Sequence, residues 1–361
     1  MAEKATVFGS VVIHNLPVSK TKEITLDNSV WNVGEKFKGF KKVPPGTHLI
    51  AFDCPVPKIG SYKVFRFFSI EANEIIILEF DPDKLCLKKM SKENPLFRIF
   101  SDCLDSQELD PYLGTFKVED FTIWSQSLCW VNKFIIEKVF GSVENGAGLV
   151  GDSDCLNDDL NSKKFNFIDI ELKLTARARD IISSNFAELK QLYRDRSAQL
   201  KHCINFEYNS KGFENLMGEC QLAYALFMVL EDIEGLEAWQ RIVYLFCESE
   251  NYMITEPKNY KEFLKAFFIM LKQLPSDFFY HELTKNNFLI SCLQHMMDNL
   301  QTIDTYAQYF KAFDELMLGH FKFEWREVII NPKENECHEN NLLLNDEVPM
   351  IVEDNQEFIS F

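Results

Sequence analysis

Apolar and polar positions follow two different periods along this chain. Between residues 11 and 80 the apolar residues come in short runs rich in Val, Ile and Phe, at 11–16, 30–33, 48–52, 62–70 and 74–80. Turn formers bound them: Asn15 and Pro17, Asp27-Asn28, Pro44-Pro45-Gly46, Pro55 and Pro57, and Asp81-Pro82-Asp83. Runs of this kind, closed by Gly, Pro, Asn and Asp, predict strands. Their close spacing and turn-like connections favour an antiparallel sandwich or barrel over a parallel sheet.

Helical spacing begins at Asn94-Pro95, because Pro is tolerated at the first helical position. Leu96, Phe97, Phe100, Cys103 and Leu104 then share one face. A second helix is expected over 118–140. Glu119 and Asp120 lie in its first turn, Phe121, Trp124, Leu128, Val131, Ile135 and Val139 form its stripe, and Gly141 ends it. These helices are expected to cap the sheet. From about 170 to 320 the pattern is helical throughout, with helices near 175–195, 213–231, 236–250, 258–273, 284–300 and 304–318. The clearest starts after Thr284 and carries Phe288, Leu289, Cys292, Leu293, Met296, Met297 and Leu300 on a broad apolar face. No fixed-period repeat is present.

Four segments follow from this pattern: a β-sandwich-like domain with capping helices (1–140), a linker (141–165), an α-helical domain (166–326) and a tail (327–361). The linker is assigned from composition. It holds Gly141, Gly146, Gly148 and Gly151 among Glu144, Asp152, Asp154, Asp158 and Asp159, and too little apolar surface to order itself.

Composition narrows the function. The 361 residues are 46% hydrophobic and include 33 Phe, enough for packed cores. A net charge of -17 repels phosphate backbones, so no direct nucleic-acid binding is expected. Lys36, Lys38, Lys41 and Lys42 form a local basic cluster, read as a solvated lysine face. The ten Cys contain no Cys-x-x-Cys pair and sit in apolar runs, as at Cys129, Cys220, Cys247 and Cys292. This suits buried thiols in a reducing compartment. The start MAEKATVFGS has no apolar signal core, and the longest apolar run, Leu222 to Leu230, is too short for a bilayer. A cytoplasmic and nuclear location is expected, with no membrane partner.

Candidate chemistry is sparse. Gly146-Ala-Gly-Leu-Val-Gly151 fits Gly-x-Gly-x-x-Gly, but acidic residues follow where a helix N-terminus should hold phosphate, so no nucleotide is expected. The His at 14, 48, 202, 281, 295, 320 and 338 supply no set of zinc ligands with Cys, even where Cys292 and His295, or Cys337 and His338, are close in sequence. No catalytic residue, cofactor or metal is expected, and the chain reads as a protein that works by binding proteins. Two rivals stand beside this reading: a trafficking adaptor using the helical superhelix alone, and a cytosolic enzyme with a thiol nucleophile.

One dense motif runs Trp31-Asn-Val-Gly34-Glu-Lys-Phe37-Lys-Gly39-Phe-Lys-Lys-Val43-Pro44-Pro45-Gly46-Thr-His48. Pro45-Gly46 suits the centre of a type II turn, since Pro presets φ and Gly accepts a positive one. Trp31 and Phe37 are expected to pack beneath it, a structural role.

With this motif and Ala5-Thr-Val7 before it, the chain resembles the cistron-splicing factor family. The helical half carries the resemblance in Leu216-Met-Gly218-Glu219-Cys-Gln221-Leu-Ala223-Tyr224, Glu237-Ala-Trp239, Leu245-Phe-Cys-Glu-Ser-Glu250, Leu274-Pro-Ser-Asp-Phe-Phe279 and Asn287-Phe-Leu289. Thr25 and Arg66 depart from it, each standing where a Gly is expected. The resemblance implies a β-sandwich-like domain followed by a helical domain similar to the VHS-type superhelix. It also implies no catalytic residues, and a role in assembling the U5 small nuclear ribonucleoprotein: members clamp the large U5 scaffold protein, a pre-mRNA-processing splicing factor, and block premature docking of the U5 helicase.

Two contact modes fit these residues. The acidic folded domains suit a basic, RNA-binding partner. The tail, with eight acidic residues and one basic residue over 331–361, carries the β-prone Val348-Pro-Met-Ile-Val352. Added to a sheet edge of the partner, Val348, Met350 and Val352 face one way and Pro349 and Ile351 the other. Folding back onto its own domain is the alternative. Ser249, between Glu248 and Glu250, is a candidate phosphorylation site for release.

Overall fold

The computed structural model describes residues 8–56, 60–141, 147–151, 165–170, 195–208, 211–279 and 288–323. The strand-forming runs assemble into two five-stranded sheets. Strands β1 (Gly9–His14), β4 (Gly39–Val43), β7 (Ile75–Asp81), β8 (Cys86–Lys89) and β9 (Leu113–Thr115) form the first, in the order β8-β7-β1-β4-β9. Strands β2 (Glu23–Leu26), β3 (Ser29–Asn32), β5 (Gly46–Val56), β6 (Gly60–Ile70) and β10 (Ala147–Gly151) form the second, in the order β10-β6-β5-β2-β3. The second sheet is antiparallel throughout. The first also contains two parallel pairs, β1 with β7 and β4 with β9. Parallel neighbours need long crossovers, and these enclose most of the second sheet between β1 and β7, and helices between β4 and β9.

Alternation selects the core. Val11 and Ile13, Ile76, Leu78 and Phe80, Ile24 and Leu26, Ile50 and Phe52, and Val64 and Phe68 share one buried cluster between the sheets. The intervening residues are covered as well. Val12 and Ile77 lie under Phe97, Phe100 and Leu104 of helix α1 (Pro95–Asp105). Phe65 and Phe67 lie within 5.8 Å of Phe140 between ring centroids. Burial on both faces explains why β5 and β6 read as nearly continuous apolar runs. Thr25 fits the ladder, opposite Val30 and Ala51. Arg66 stays in register too; it is buried, and its Nη1 donates to the Leu87 carbonyl of the facing sheet at 2.7 Å.

Several elements differ from the expectation. β2, β4, β8 and β9 have three to five residues, too short for a period to show. The helix expected over 118–140 is two helices, α2 (Val118–Ser127) and α3 (Lys133–Phe140). Asn132 adopts an extended conformation and its side chain accepts the Ile135 N–H at 3.1 Å, which starts a new helix. Gly141 ends α3 with φ +85°, its N–H donating to Glu137 at 2.8 Å. Inside the segment expected to be a linker, Ala147–Gly151 pairs with β6. Acidic composition did not prevent this, since the five residues of the strand carry no charge.

Five more helices follow: α4 (Ser197–Phe206), α5 (Gly212–Leu230), α6 (Ile233–Cys247), α7 (Glu250–Thr255) and α8 (Pro257–Gln273). α5 is buried along nearly its whole length, which accounts for its lack of a polar face. α4 and α7 were not foreseen, and the helix expected over 175–195 lies almost wholly outside the described residues. The chain divides into two compact units, Met1–Leu274 and Pro275–Phe361. In the second unit, α9 (Phe288–Thr302) and α10 (Ala307–Gly319) bury Leu289, Cys292, Leu293, Met296, Phe313 and Met317. Phe279 meets Phe321 at 4.7 Å there.

Candidate functional site

The Trp31–His48 motif builds one continuous structure. Trp31 on β3 and Phe37 both set their rings edge-on against buried Phe40, at 5.5 and 5.2 Å. The Gly34 carbonyl accepts the Phe37 N–H at 3.0 Å. Gly39 has φ +143°, and a Cβ there would lie 2.0 Å from the Val11 carbonyl oxygen, so only glycine lets β4 approach β1. Pro45-Gly46 does not form the expected type II turn. That turn needs φ near +80° at its third residue; Gly46 has φ +150° and already belongs to β5. Glycine is still required, because a Cβ would sit 2.8 Å from the Phe121 ring.

At the motif's end is a polar pair that sequence reasoning missed. His48 is fully buried, with Nδ1 2.7 Å from Asp27 Oδ2 and Nε2 2.8 Å from the Pro44 carbonyl. A carbonyl only accepts, so Nε2 donates. The remaining proton is held between Nδ1 and the carboxyl. The other Asp27 oxygen accepts the Leu49 N–H at 2.9 Å. Burial pushes the Asp27 carboxyl above the ordinary range, with His48 opposing the shift. The rings of Phe68 and Phe121 stack on the imidazole at 5.5 and 5.0 Å. A signal for this pair existed: Asp27 and His48 bound adjacent predicted strands.

The Leu216–Tyr224 motif lies on α5 and fastens the helices to the β part. Gln221 Oε1 accepts the Trp130 N–H at 2.8 Å. Asn132 Nδ2 donates to Asn215 Oδ1 at 3.4 Å. Gly218 admits the close approach: an added Cβ would lie 2.5 Å from the Trp130 carbonyl oxygen. Glu219, wholly buried, is 2.5 Å from Lys138 Nζ of α3, accepts the Tyr208 hydroxyl at 2.9 Å, and accepts the Ile168 N–H. Burial, then the Glu219 charge, pushes the Tyr208 hydroxyl far above its ordinary range. Tyr224 donates to the Met270 carbonyl at 2.7 Å, and Trp239 Nε1 lies 3.2 Å from Met270 Sδ.

Other expected residues fall elsewhere. Val348, Met350, Ile351 and Val352 lie outside the described residues. Of Gly146–Gly151, Ala147–Gly151 forms strand β10 on the edge of β6; Gly146 and the acidic residues that follow the strand lie outside the described residues. Ser249 is fully buried and donates to the Leu245 carbonyl at 2.6 Å, so a kinase cannot reach it in this conformation. Burial raises the thiols of Cys54, Cys86, Cys103 and Cys220, and that of Cys203 to about 12, away from the reactive thiolate. Among the described residues, no group of three or more His, Cys, Asp or Glu is placed to hold a metal ion, and no helix is long and apolar enough to cross a membrane.

The fold therefore defines a class: a double-sheet domain built together with helices, whose two densest motifs serve internal packing. Comparison with known proteins places the chain within it. Residues 8–141 match the family model of the AAR2 N-terminal domain, and residues 167–326 that of the AAR2 C-terminal repeat region. A protein AAR2 homolog of Caenorhabditis elegans is 22% identical over 337 residues, covering 85% of this chain and 92% of the relative. The Homo sapiens homolog is 25% identical over 348 residues, covering 88% and 89%. The Mus musculus homolog is 24% identical over 349 residues, with the same coverage. The chain belongs to the AAR2 family of splicing factors, and its function is related to splicing.

Proposed function

We propose that this chain is a non-enzymatic assembly factor for the U5 small nuclear ribonucleoprotein, acting in the cytoplasm and nucleus. It clamps the large U5 scaffold protein, keeps the U5 helicase from docking early, and then leaves. The observation that carries this reading is the presence of both AAR2 regions, in order, across residues 8–326. The net charge of -17 supports it, because a basic RNA-binding scaffold is the complementary partner. The raised thiols argue against the rival thiol enzyme.

Within this reading the tail contributes an added strand through Val348, Met350, Ile351 and Val352. Ordering a free segment costs entropy, which keeps the contact reversible. Affinity purification of the tagged chain from cells, followed by mass spectrometry, tests the partner. Recovery of the large U5 scaffold protein without the helicase is expected; absence of spliceosomal components overturns the reading. Removing residues 331–361 tests the tail, which is refuted if scaffold affinity stays unchanged.

A further inference from the structure

We propose that the outer edge of β3 is a docking site for an extended, acidic segment of a partner protein. This inference is independent of the U5 reading. Among the described residues, β3 is the terminal strand of the second sheet and pairs on one side only, with β2. Its register fixes which backbone groups are spent. Val33 N–H donates to Lys22 O at 2.8 Å beyond the strand's end, so the bonded pairs are Lys22 with Val33, Ile24 with Trp31, and Leu26 with Ser29. The partner side of β2 agrees: Asp27 N–H donates to Leu49 O at 2.8 Å, which turns Thr25 towards β5. Val30 and Asn32 therefore point their N–H and C=O groups away from β2, along the open edge. Such an edge is a template for another strand.

Side chains around this edge give it a chemistry. Val30 is 62% exposed, and Trp31 packs inward behind it. Four exposed lysines frame it on a chain that is strongly acidic overall. Lys22 precedes the neighbouring strand, Lys36 and Lys38 follow β3 in the next loop, and Lys117 places Nζ 5.6 Å over the Trp31 ring. None of the four forms an ion pair among the described residues, and the carboxylates on the same three segments are Glu23, Glu35, Glu119 and Asp120. Lysines commonly guard an open edge against self-association. Here they also select the occupant: a strand alternating apolar residues, to cover Val30, with acidic ones, to meet the lysines.

The test uses the full chain and a fluorescent decapeptide alternating Glu and Val. A Lys-Val decapeptide and a Glu-Val peptide interrupted by Pro serve as controls. Hydrogen exchange should show the Val30 and Asn32 amides open in the free chain and protected once the Glu-Val peptide is added. That peptide should bind at least about tenfold tighter than either control. Val30→Pro removes an outward N–H that the fold does not use, and should abolish binding with the circular dichroism spectrum kept. Reversing Lys22, Lys36 and Lys38 to Glu, all exposed, should invert the charge preference. Equal binding of the three peptides overturns the proposal, as does full binding by either variant. Protection of both amides in the free chain also overturns it, since the edge is then covered by a segment or second copy of this chain.

Discussion

Two buried carboxylates, Asp27 and Glu219, do different things with the same chemistry. Asp27 finds its partners on the next strand of its own sheet, His48 and the Leu49 N–H. Glu219 gathers its partners from three places: Lys138 of α3, Tyr208 after α4, and Ile168 from the described stretch 165–170. The first fixes a loop within one layer. The second holds helices against the β part. A buried carboxylate needs every acceptor site filled, so its partners must arrive together. That requirement makes Asp27 a local fastener and Glu219 a long-range one.

The contrast predicts a ranking of losses. Glu219→Ala should be the most damaging, about 3–5 kcal/mol in urea unfolding, because it leaves a half-buried lysine, a buried hydroxyl and a buried amide without their partner at once. A loss below about 1 kcal/mol would show that the cluster is not needed to hold the helices. Asp27→Ala should cost less, about 2–3 kcal/mol, with changes in amide exchange confined to β2, β5 and the Pro44–Gly46 bend. Spread of those changes to α5 would erase the distinction between local and long-range. Gly218→Ala should cost about 1–3 kcal/mol, since the added methyl meets backbone oxygen, and should weaken the same contacts as Glu219→Ala.

The alkaline limb sharpens the comparison further. Burial raises the Cys203 thiol from 9.0 to about 12 in the folded chain. The unfolded chain therefore releases this proton first. The contribution of this thiol to stability is complete below pH 9.0 and is lost as pH rises towards about 12. Buried Tyr208 and Tyr224 act in the same direction. Melting curves across that window should show a falling Tm, with a shallower fall in Cys203→Ala, by an amount on the order of 1–2 kcal/mol. The smallest effect is expected for Lys63→Ala. Its partner Glu231 is largely exposed, so its loss should change stability by less than about 0.5 kcal/mol.

Much of this architecture was legible in the pattern of residues. Strands with long apolar runs, such as β6 and β7, and helices with a broad apolar face, such as α5 and α8, coincide with the runs that predicted them. What escaped was decided by partners distant in sequence. The break between α2 and α3 depends on Asn132 and on a Gln221 that arrives from 91 residues away at Trp130. β10 forms because β6 offers it an edge, a circumstance that composition does not record. The roles of Glu219 and Gln221 were equally hidden. A glutamate in a helical run reads as a surface residue until Lys138, Tyr208 and Ile168 are seen around it.

The proposed U5 role reduces to one physical event, direct association of this chain with the large U5 scaffold protein. Multi-angle light scattering on the two purified proteins, mixed at about micromolar concentration, measures it directly. The account predicts a single peak with the summed mass of one copy of each. Two peaks at the separate masses, with both proteins folded, would contradict it.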